Sequence, residues 1–191
     1  SDSWSLFGEA GVQAFDRLTL RLAARYTDAS RDFDADRTIY HLSPNSTAPG
    51  PDPWSFAVPV ALTQSAFVET RQSRSDDKLT PAATAEWRPA QGQLYYVSWR
   101  EGFKAGGFNA ASPSGIESYD PEHAWNYEVG VKTLLGSSRV SLNGSLFFID
   151  WDDLQLNVPN PFVPGQFYIA NVGNARSSGA EFDVTARPRS D

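Results

Sequence analysis

Alternation with a period of two residues is the feature that most constrains this chain. The stretch "YDPEHAWNYEVGVKT" (119–133) alternates from the residue after its proline onward. One set of positions is bulky and mostly apolar: His123, Trp125, Tyr127, Val129, Val131 and Thr133. The other set is small, polar or charged: Glu122, Ala124, Asn126, Glu128, Gly130 and Lys132. Since successive side chains of a strand point to opposite faces, this pattern predicts a strand that separates an apolar environment from a polar one.

The same period recurs along most of the chain, and no segment shows a convincing helical period. The alternating segments predict strands over residues 3–14, 18–27, 78–89, 93–103, 122–134 and 140–156, and a strand or bent strand over 166–187. Strict alternation of Leu18, Leu20 and Leu22 favours a strand, because a helix would place Leu20 on the side opposite its two neighbours. The sequence therefore predicts an all-β protein with about seven strands in an antiparallel up-and-down meander.

The connections between these strands alternate in length. Short turns are expected at 15–17, 89–92 and 135–138, and long connections at 28–71, 103–120 and 157–165. The connection over 28–71 contains "LSPNSTAPGPDPW" and is expected to be irregular. In a meander every second connection lies at the same end, so the short turns would share one end and the long loops the other. Outer-membrane barrels are built in this way.

Composition argues against several functions. The chain of 191 residues has no Cys and only two His, His41 and His123, so it offers neither a thiol nucleophile nor a histidine-rich metal site. Its net charge of −7 argues against a nucleic-acid partner. No apolar run approaches the ~20 residues of a membrane-spanning helix. We expect no cofactor and no Ser-His-Asp arrangement, for which there are too few histidines.

Three local motifs suggest a binding site only weakly, and each also fits a structural role within a sheet. "GFKAGGFN" (102–109) lacks the residue order and following helix of a phosphate-binding loop, and its glycines fit a twisted strand end. The carboxylates of "DWDD" (150–153) point in alternating directions, which favours a solvated strand end over a cation site. Glu181 and Asp183 share one face and fit a polar wall. No catalytic residue and no metal ligand is predicted.

Four segments taken together resemble a known family. They are "LYYVSWREGFKAGGFN" (94–109), "YDPEHAWNYEVGVKT" (119–133), "VSLNGSLFFIDWDDLQ" (140–155) and "ANVGNARSSGAEFDVTARP" (170–188). In this order and spacing they resemble the barrel of TonB-dependent outer-membrane receptors. The opening "SLFGEAGVQAFDRLTLRLAARYTD" (5–28) is similar to a hairpin of that barrel. The resemblance covers most of the chain and is weakest over 29–72.

The resemblance implies a transmembrane barrel in the outer membrane of a Gram-negative bacterium. Such receptors enclose a plug domain and take up a scarce solute, most often a ferric siderophore, with energy from TonB. Residues 1–191 are then expected to be a partial barrel, without plug, TonB box or closing C-terminal strand. The implied partners are the small-molecule ligand, outer-membrane lipid and, outside this chain, the plug and TonB.

The resemblance also implies roles for particular residues. The positions expected to face lipid are Trp125, Tyr127, Val129 and Val131. The positions expected to face the lumen and the plug are Glu122, Asn126, Glu128 and Lys132. Phe103, Lys104 and Phe108 are expected to line the mouth where ligand enters, since aromatic rings and a cation suit a catecholate ferric complex.

A soluble extracellular β-sandwich binding module is the competing interpretation. Alternation by itself also marks a soluble antiparallel domain with one packed and one wet face. A sandwich gives no reason, however, for sorting loop lengths by end. Its carbohydrate-binding platforms would be Trp54, Trp99 and Trp151. An enzyme, the third class, has no constellation of residues to support it.

Overall fold

Strands account for most of the structure, a computed structural model that describes residues 1–44, 60–110, 117–135, 140–161 and 164–187. No helix among these residues is long and apolar enough to cross a membrane. The strands are β1 Asp2–Phe15, β2 Leu18–Pro44, β3 Val60–Trp87, β4 Gln93–Lys104, β5 Gly107–Phe108, β6 Ser118–Tyr119, β7 Glu122–Leu135, β8 Val140–Asp152, β9 Gln155–Pro159, β10 Phe167–Asn171 and β11 Ala175–Ala186.

One antiparallel sheet contains seven of these strands, in the order β1-β2-β3-β4-β7-β8-β11. The order follows the chain, and the remaining strands form two small sheets, β5–β6 and β9–β10, within the connections. The predicted meander is therefore confirmed, and as a fragment it does not close into a barrel. The described residues contain no second large sheet that could cover this one, as a β-sandwich would require.

The connections are sorted by end. Only Asp16 and Arg17 separate β1 from β2, and residues 88–92 separate β3 from β4. These two turns are neighbours, because the amide of Arg88 donates to the carbonyl of Arg17 at 2.8 Å. Gly92 has a φ of 75°, which a residue with a side chain rarely adopts. We call this end of the sheet the turn end, and the opposite end, with the longer connections, the loop end.

The prediction of an irregular loop over 28–71 is wrong for most of this segment. β2 continues to Pro44 and β3 begins at Val60, while residues 45–59 lie outside the described residues. Alternation continues past Asp28, where Ala29, Phe33 and Ala35 alternate with Ser30, Asp32 and Asp34, but the Pro- and Ser-rich stretch 42–54 favours a loop and outweighs this signal. Residues 32–73 form a compact unit of their own, and residues 1–31 with 74–191 form the other.

Two long strands predicted near the end of the chain are each divided. β8 ends at Asp152, Asp153 adopts a φ of 54°, and β9 begins at Gln155. Gly173, with a φ of 102°, separates β10 from β11. A left-handed residue breaks the extended backbone, so each strand bends at that point. Alternation in sequence continues across the first bend, so 140–156 is predicted as one strand, whereas 166–187 is predicted as a strand or a bent strand and Gly173 lies at its bend.

Candidate functional site

The register of the large sheet sorts its side chains onto two faces. One row across five strands consists of Ala85, Val97, Val129, Leu146 and Ala180. We call the face that carries this row the apolar face. Its exposed large side chains on these strands are Trp87, Tyr95, Val97, Tyr127, Val129, Leu146, Phe148, Phe182 and Val184. So many exposed apolar side chains on one face indicate contact with another apolar phase rather than with water.

The apolar face extends onto the first two strands. Val12, Leu20 and Leu22 line the same shallow concavity, of about 760 Å³, as Val97 and Val129. The concavity crosses β1, β2, β3, β4, β7 and β8 at mid-strand, so its lining is a continuous part of the sheet. Small and branched apolar side chains therefore occupy the middle of the face, and larger aromatic side chains lie nearer its borders.

A row with charged side chains borders the apolar face toward the loop end. The register aligns Glu101, Trp125, Asp150 and Arg176, and Arg176 Nε lies 3.0 Å from Asp150 Oδ1. From residue 93 to residue 101, β4 advances about 27 Å at ~3.4 Å per residue. A strand tilt of ~40° reduces this to a height of about 20 Å, comparable with the apolar band of ~25 Å on a transmembrane barrel.

Aromatic side chains lie at both borders of the apolar face. At the turn end, the ring centroids of Trp87 and Tyr95 are 5.4 Å apart. At the loop end, the His123 ring lies 5.5 Å from Phe103 and 6.3 Å from Trp125, measured between centroids. Two aromatic girdles that flank an apolar band are typical of strands that cross a bilayer.

The opposite face is polar, and its side chains pair with one another. The Tyr96 hydroxyl donates to the Glu128 carboxylate, and Lys132 Nζ lies 5.7 Å from the centroid of the Tyr96 ring. Gly130 is the register partner of Tyr96 and lies beneath its ring, where a Cβ would overlap the ring atoms. An aromatic ring that covers a glycine across a strand pair gives the sheet a close contact that no larger residue would allow.

Charged side chains on the polar face also have partners. Arg21 contacts Glu9 at 3.0 Å and Glu86 at 3.4 Å, so one cation links β1, β2 and β3. Asp183 accepts a hydrogen bond from Asn143 Nδ2 at 3.2 Å. These pairs are exposed or half-buried, as expected of side chains that line a wet space.

Buried amide side chains join two long connections at the loop end. We call residues 105–110 and 117–121 the first outer loop, and residues 153–161 and 164–174 the second outer loop. Asn109 Nδ2 donates to the carbonyl of Ile169, and the amide of Ile169 donates back to Asn109 Oδ1, both at 2.8 Å. Gln155 Nε2 donates to the carbonyls of Ala105 at 3.1 Å and Asp120 at 2.9 Å. Asn109 and Gln155 are only 7% and 6% exposed, so these bonds are shielded from water.

An ion pair on β3 meets the first outer loop. Arg74 Nε lies 2.8 and 2.7 Å from the two carboxylate oxygens of Asp76. Arg74 Nη1 donates to the carbonyl of Tyr119 at 3.1 Å and to Asp120 Oδ1 at 3.0 Å. Arg74 lies beyond the charged row, toward the loop end. The hydrogen bond with Asp76 is the main cause that raises the pKa of Arg74. The guanidinium is therefore a permanent cation at this junction.

The three residues expected to bind ligand do not share a face. Phe103 pairs with His123 and lies on the apolar face, whereas Lys104 follows it directly and lies on the polar face, exposed. Phe108 is half-buried in β5. Ligand binding by these residues stays a prediction, and the register favours Lys104 over Phe103 for any contact with the lumen.

The residues expected to face lipid all lie on the apolar face. Tyr127 and Val129 are exposed there, and Trp125 and Val131 are half-buried. Among the proposed carbohydrate platforms, Trp99 lies on the apolar face and Trp151 on the polar face, while Trp54 lies outside the described residues. No common platform of Trp99 and Trp151 exists, because the sheet separates them.

One acidic group was not anticipated from the sequence. Within the unit 32–73, Asp34, Asp36 and Glu69 place carboxylate oxygens within 4.8 Å of one another. All three are exposed, and Arg71 contacts Asp34 at 3.5 Å and Glu69 at 2.5 Å. Since all three carboxylates are exposed and Arg71 balances only part of their charge, the group is a solvated charge cluster.

Comparison with known proteins agrees with this geometry. A family model described as TonB dependent receptor-like, beta-barrel, matches residues 1–189. The chain belongs to this family. The family that the four segments resemble is thereby confirmed.

Several solved receptors show the same fold at low sequence identity. The ferric yersiniabactin uptake receptor of Yersinia pestis gives a TM-score of 0.67 at 16% identity, covering 97% of this chain and 24% of the receptor. The siderophore receptor of Acinetobacter baumannii gives a TM-score of 0.60 at 18% identity, covering 96% of this chain and 23% of the receptor. A double mutant of the hemophore receptor of Serratia marcescens was solved in complex with its hemophore and heme. It gives a TM-score of 0.61 at 17% identity, covering 95% of this chain and 31% of the receptor. The chain thus spans 23–31% of the length of these three receptors.

Proposed function

We propose that residues 1–191 form part of the barrel wall of a TonB-dependent outer-membrane receptor in a Gram-negative bacterium. The apolar face contacts lipid, and the polar face lines the lumen. The apolar face carries the proposal, because no charged residue interrupts it between the rows of Tyr95 and Tyr127. A cation at mid-bilayer costs about 2–4 kcal/mol, so a lipid environment selects against charge at these positions.

The proposed ligand is a ferric siderophore or a similarly scarce solute. Support comes from the family and from neighbours of the same fold, whose names include a ferric yersiniabactin uptake receptor and a siderophore receptor. The outer loops, together with a plug domain outside these residues, would bind the ligand. TonB, acting on the plug, would supply the energy for release through the lumen. The wall described above provides the scaffold and part of the entrance.

The orientation of β7 tests the membrane assignment directly. The chain contains no cysteine, so single cysteines can be placed at residues 125–129 and 131 of the intact protein in outer membranes. Position 130 is omitted, because Tyr96 covers Gly130. We expect positions 125, 127, 129 and 131 to react with a lipid-soluble thiol reagent and positions 126 and 128 with a water-soluble one. Reaction of every position from water, or protection of the odd set from both reagents, would favour the soluble module instead.

Uptake is tested separately from orientation. Cells that lack their own receptors and express the intact protein should accumulate radioactive iron from a catecholate or a mixed-ligand ferric siderophore, and only with functional TonB. If the labelling shows the expected membrane orientation but no siderophore of a panel supports iron uptake, the barrel-wall proposal stands and the proposed ligand class is rejected.

A further inference from the structure

Asp120 is the residue at which three elements of the loop end meet. Its carboxylate accepts from Arg74 Nη1 of β3 at 3.0 Å. Its amide donates to Asn171 Oδ1 at 2.7 Å, and its carbonyl accepts from Asn171 Nδ2 and Gln155 Nε2, each at 2.9 Å. The backbone of Asp120 therefore bonds to the second outer loop. Its side chain bonds to Arg74 of the seven-stranded sheet, which we call the wall.

The link between the loops is extensive. Asn171 Nδ2 also donates to the carbonyl of Asp153 at 2.7 Å, inside the second outer loop. Asn109 pairs with both backbone groups of Ile169, as a neighbouring strand would. Asn109 and Gln155 are buried, so separating them from their partners is costly, because every partner that is released leaves a buried polar group unsatisfied. The two outer loops are thus joined more firmly to each other than two solvated loops would be.

The first outer loop is linked to the wall by a short, local set of contacts, and the second outer loop has one contact with β7, where the amide of Gln155 donates to Glu122 Oε2 at 2.8 Å. Arg74 holds the first outer loop at Tyr119 and Asp120, while its ion-pair partner Asp76 accepts from the amide of Gly106 at 3.0 Å. Both arms of that loop therefore attach to one ion pair on β3. Arg31 of β2 adds a hydrogen bond to the carbonyl of Gly106.

The glycine pair of "GFKAGGFN" permits this attachment. A Cβ on Gly106 would lie 2.5 Å from the Tyr119 carbonyl and 2.6 Å from the Arg74 guanidinium carbon. A Cβ on Gly107 would overlap Arg31 and lie within 2.7 Å of two Tyr119 side-chain atoms. By contrast, a Cβ on Gly102 would make only ordinary contacts with Ala124 at 3.7 Å. The pair is thus needed for close approach of the loop to the wall.

We propose that the two outer loops move as one rigid body at the entrance of the barrel, and that the Arg74–Asp76 pair fastens this body to the wall. Motion of either loop then carries the other, so a ligand that contacts one loop also repositions the second. The proposal does not depend on which solute is bound.

Distance measurements in the intact protein in lipid vesicles test it. Spin labels on cysteines at the exposed residues Ser118 and Asn157 report the separation of the two loops. Labels at Ser118 and at exposed Ser177 of β11 report the separation of loop and wall. With Arg74→Ala, we expect the loop–wall distribution to broaden about twofold and the loop–loop distribution to keep its width.

The matched control is Arg176→Ala. This arginine also lies at the loop end, but its partner Asp150 belongs to the wall, so neither distribution should change. Gly106→Ala should act like Arg74→Ala without removing a charge, and Gly102→Ala is its control. If Arg74→Ala fails to fold, the glycine variants test the same contact.

The converse variant separates the two links. Asn171→Ala should broaden the loop–loop distribution while Arg74 still holds the first outer loop to the wall. The proposal is overturned if Arg74→Ala or Gly106→Ala broadens both distributions equally, because the loops would then move independently. It is also overturned if neither variant broadens the loop–wall distribution, because the ion pair would then not be the fastening point.

Discussion

Val129 and Val184 form a matched pair for testing the membrane assignment quantitatively. Both are valines on the apolar face, and both are 52% exposed. Val129 lies in the central row with Val97 and Leu146, whereas Val184 lies opposite Leu142 toward the turn end. Because residue type, face and exposure agree, any difference between the same substitution at the two positions reports depth in the membrane.

The expected magnitudes follow from this difference in depth. If the apolar face contacted water, arginine at either exposed position would change the free energy of unfolding by about 0.5 kcal/mol or less. Against lipid, Val129→Arg should cost about 2–4 kcal/mol and Val184→Arg about 0–1 kcal/mol, because the cost of a cation falls from the midplane to the interface. We therefore expect Val129→Arg to be the more destabilising by roughly 2–3 kcal/mol.

Reversible urea unfolding of the intact protein from lipid vesicles, followed by tryptophan fluorescence, measures both values. The denaturant slope should be unchanged, so that shifts in midpoint convert to free energies. Val129→Ala controls for the loss of valine contacts. Equal losses for the two arginine variants, within about 0.5 kcal/mol, would refute the depth argument and the bilayer orientation behind it.

Two further substitutions test contacts inside the sheet and at the loop end. Gly130→Ala should lower the free energy of unfolding by about 1–3 kcal/mol because the Cβ would overlap the Tyr96 ring. Gly144→Ala, whose Cβ would meet its nearest side-chain atom at 3.7 Å, should be neutral or stabilising in the same assay. Asn109→Asp should speed hydrogen exchange of the Ile169 amide about tenfold or more, because the lost amide donor leaves the Ile169 carbonyl unsatisfied beside a carboxylate. Unchanged exchange would contradict the pairing of the two loops.

The strands with one apolar face could be predicted closely. The expected segment 93–103 corresponds to β4 Gln93–Lys104, and 122–134 to β7 Glu122–Leu135. In both, alternation encodes a physical difference between the two faces, so each strand and its register follow from the pattern. The predicted strands do not include β2 beyond residue 28 or β3 before residue 72. Ala29, Phe33 and Ala35 alternate with polar residues there, but the Pro- and Ser-rich stretch 42–54 favours a loop and outweighs that signal.

The link between the outer loops could not be predicted. It depends on single amide side chains that lie far apart in sequence, Asn109 in a predicted loop and Gln155 and Asn171 within predicted strands. No period relates them, and an isolated Asn or Gln in a loop is usually solvated. Only the folded chain brings Asn109 to Ile169 and Gln155 to Asp120. The glycine pair at 106–107 is evident in the sequence, but the close approach of Gly106 to Arg74 involves a neighbour more than 30 positions earlier in the chain.

The period of two also constrains the ligand-binding residues more tightly than composition does. Phe103 and Lys104 are adjacent on one strand, so their side chains must take opposite faces, and at most one of them can face the lumen. The register assigns that face to Lys104, which follows Tyr96, Ser98 and Arg100 along the polar side of β4. Phe103 instead joins His123 in the loop-end girdle. A combined aromatic and cationic contact with one ligand would therefore have to pair Lys104 with an aromatic ring of the outer loops rather than with its neighbour in sequence.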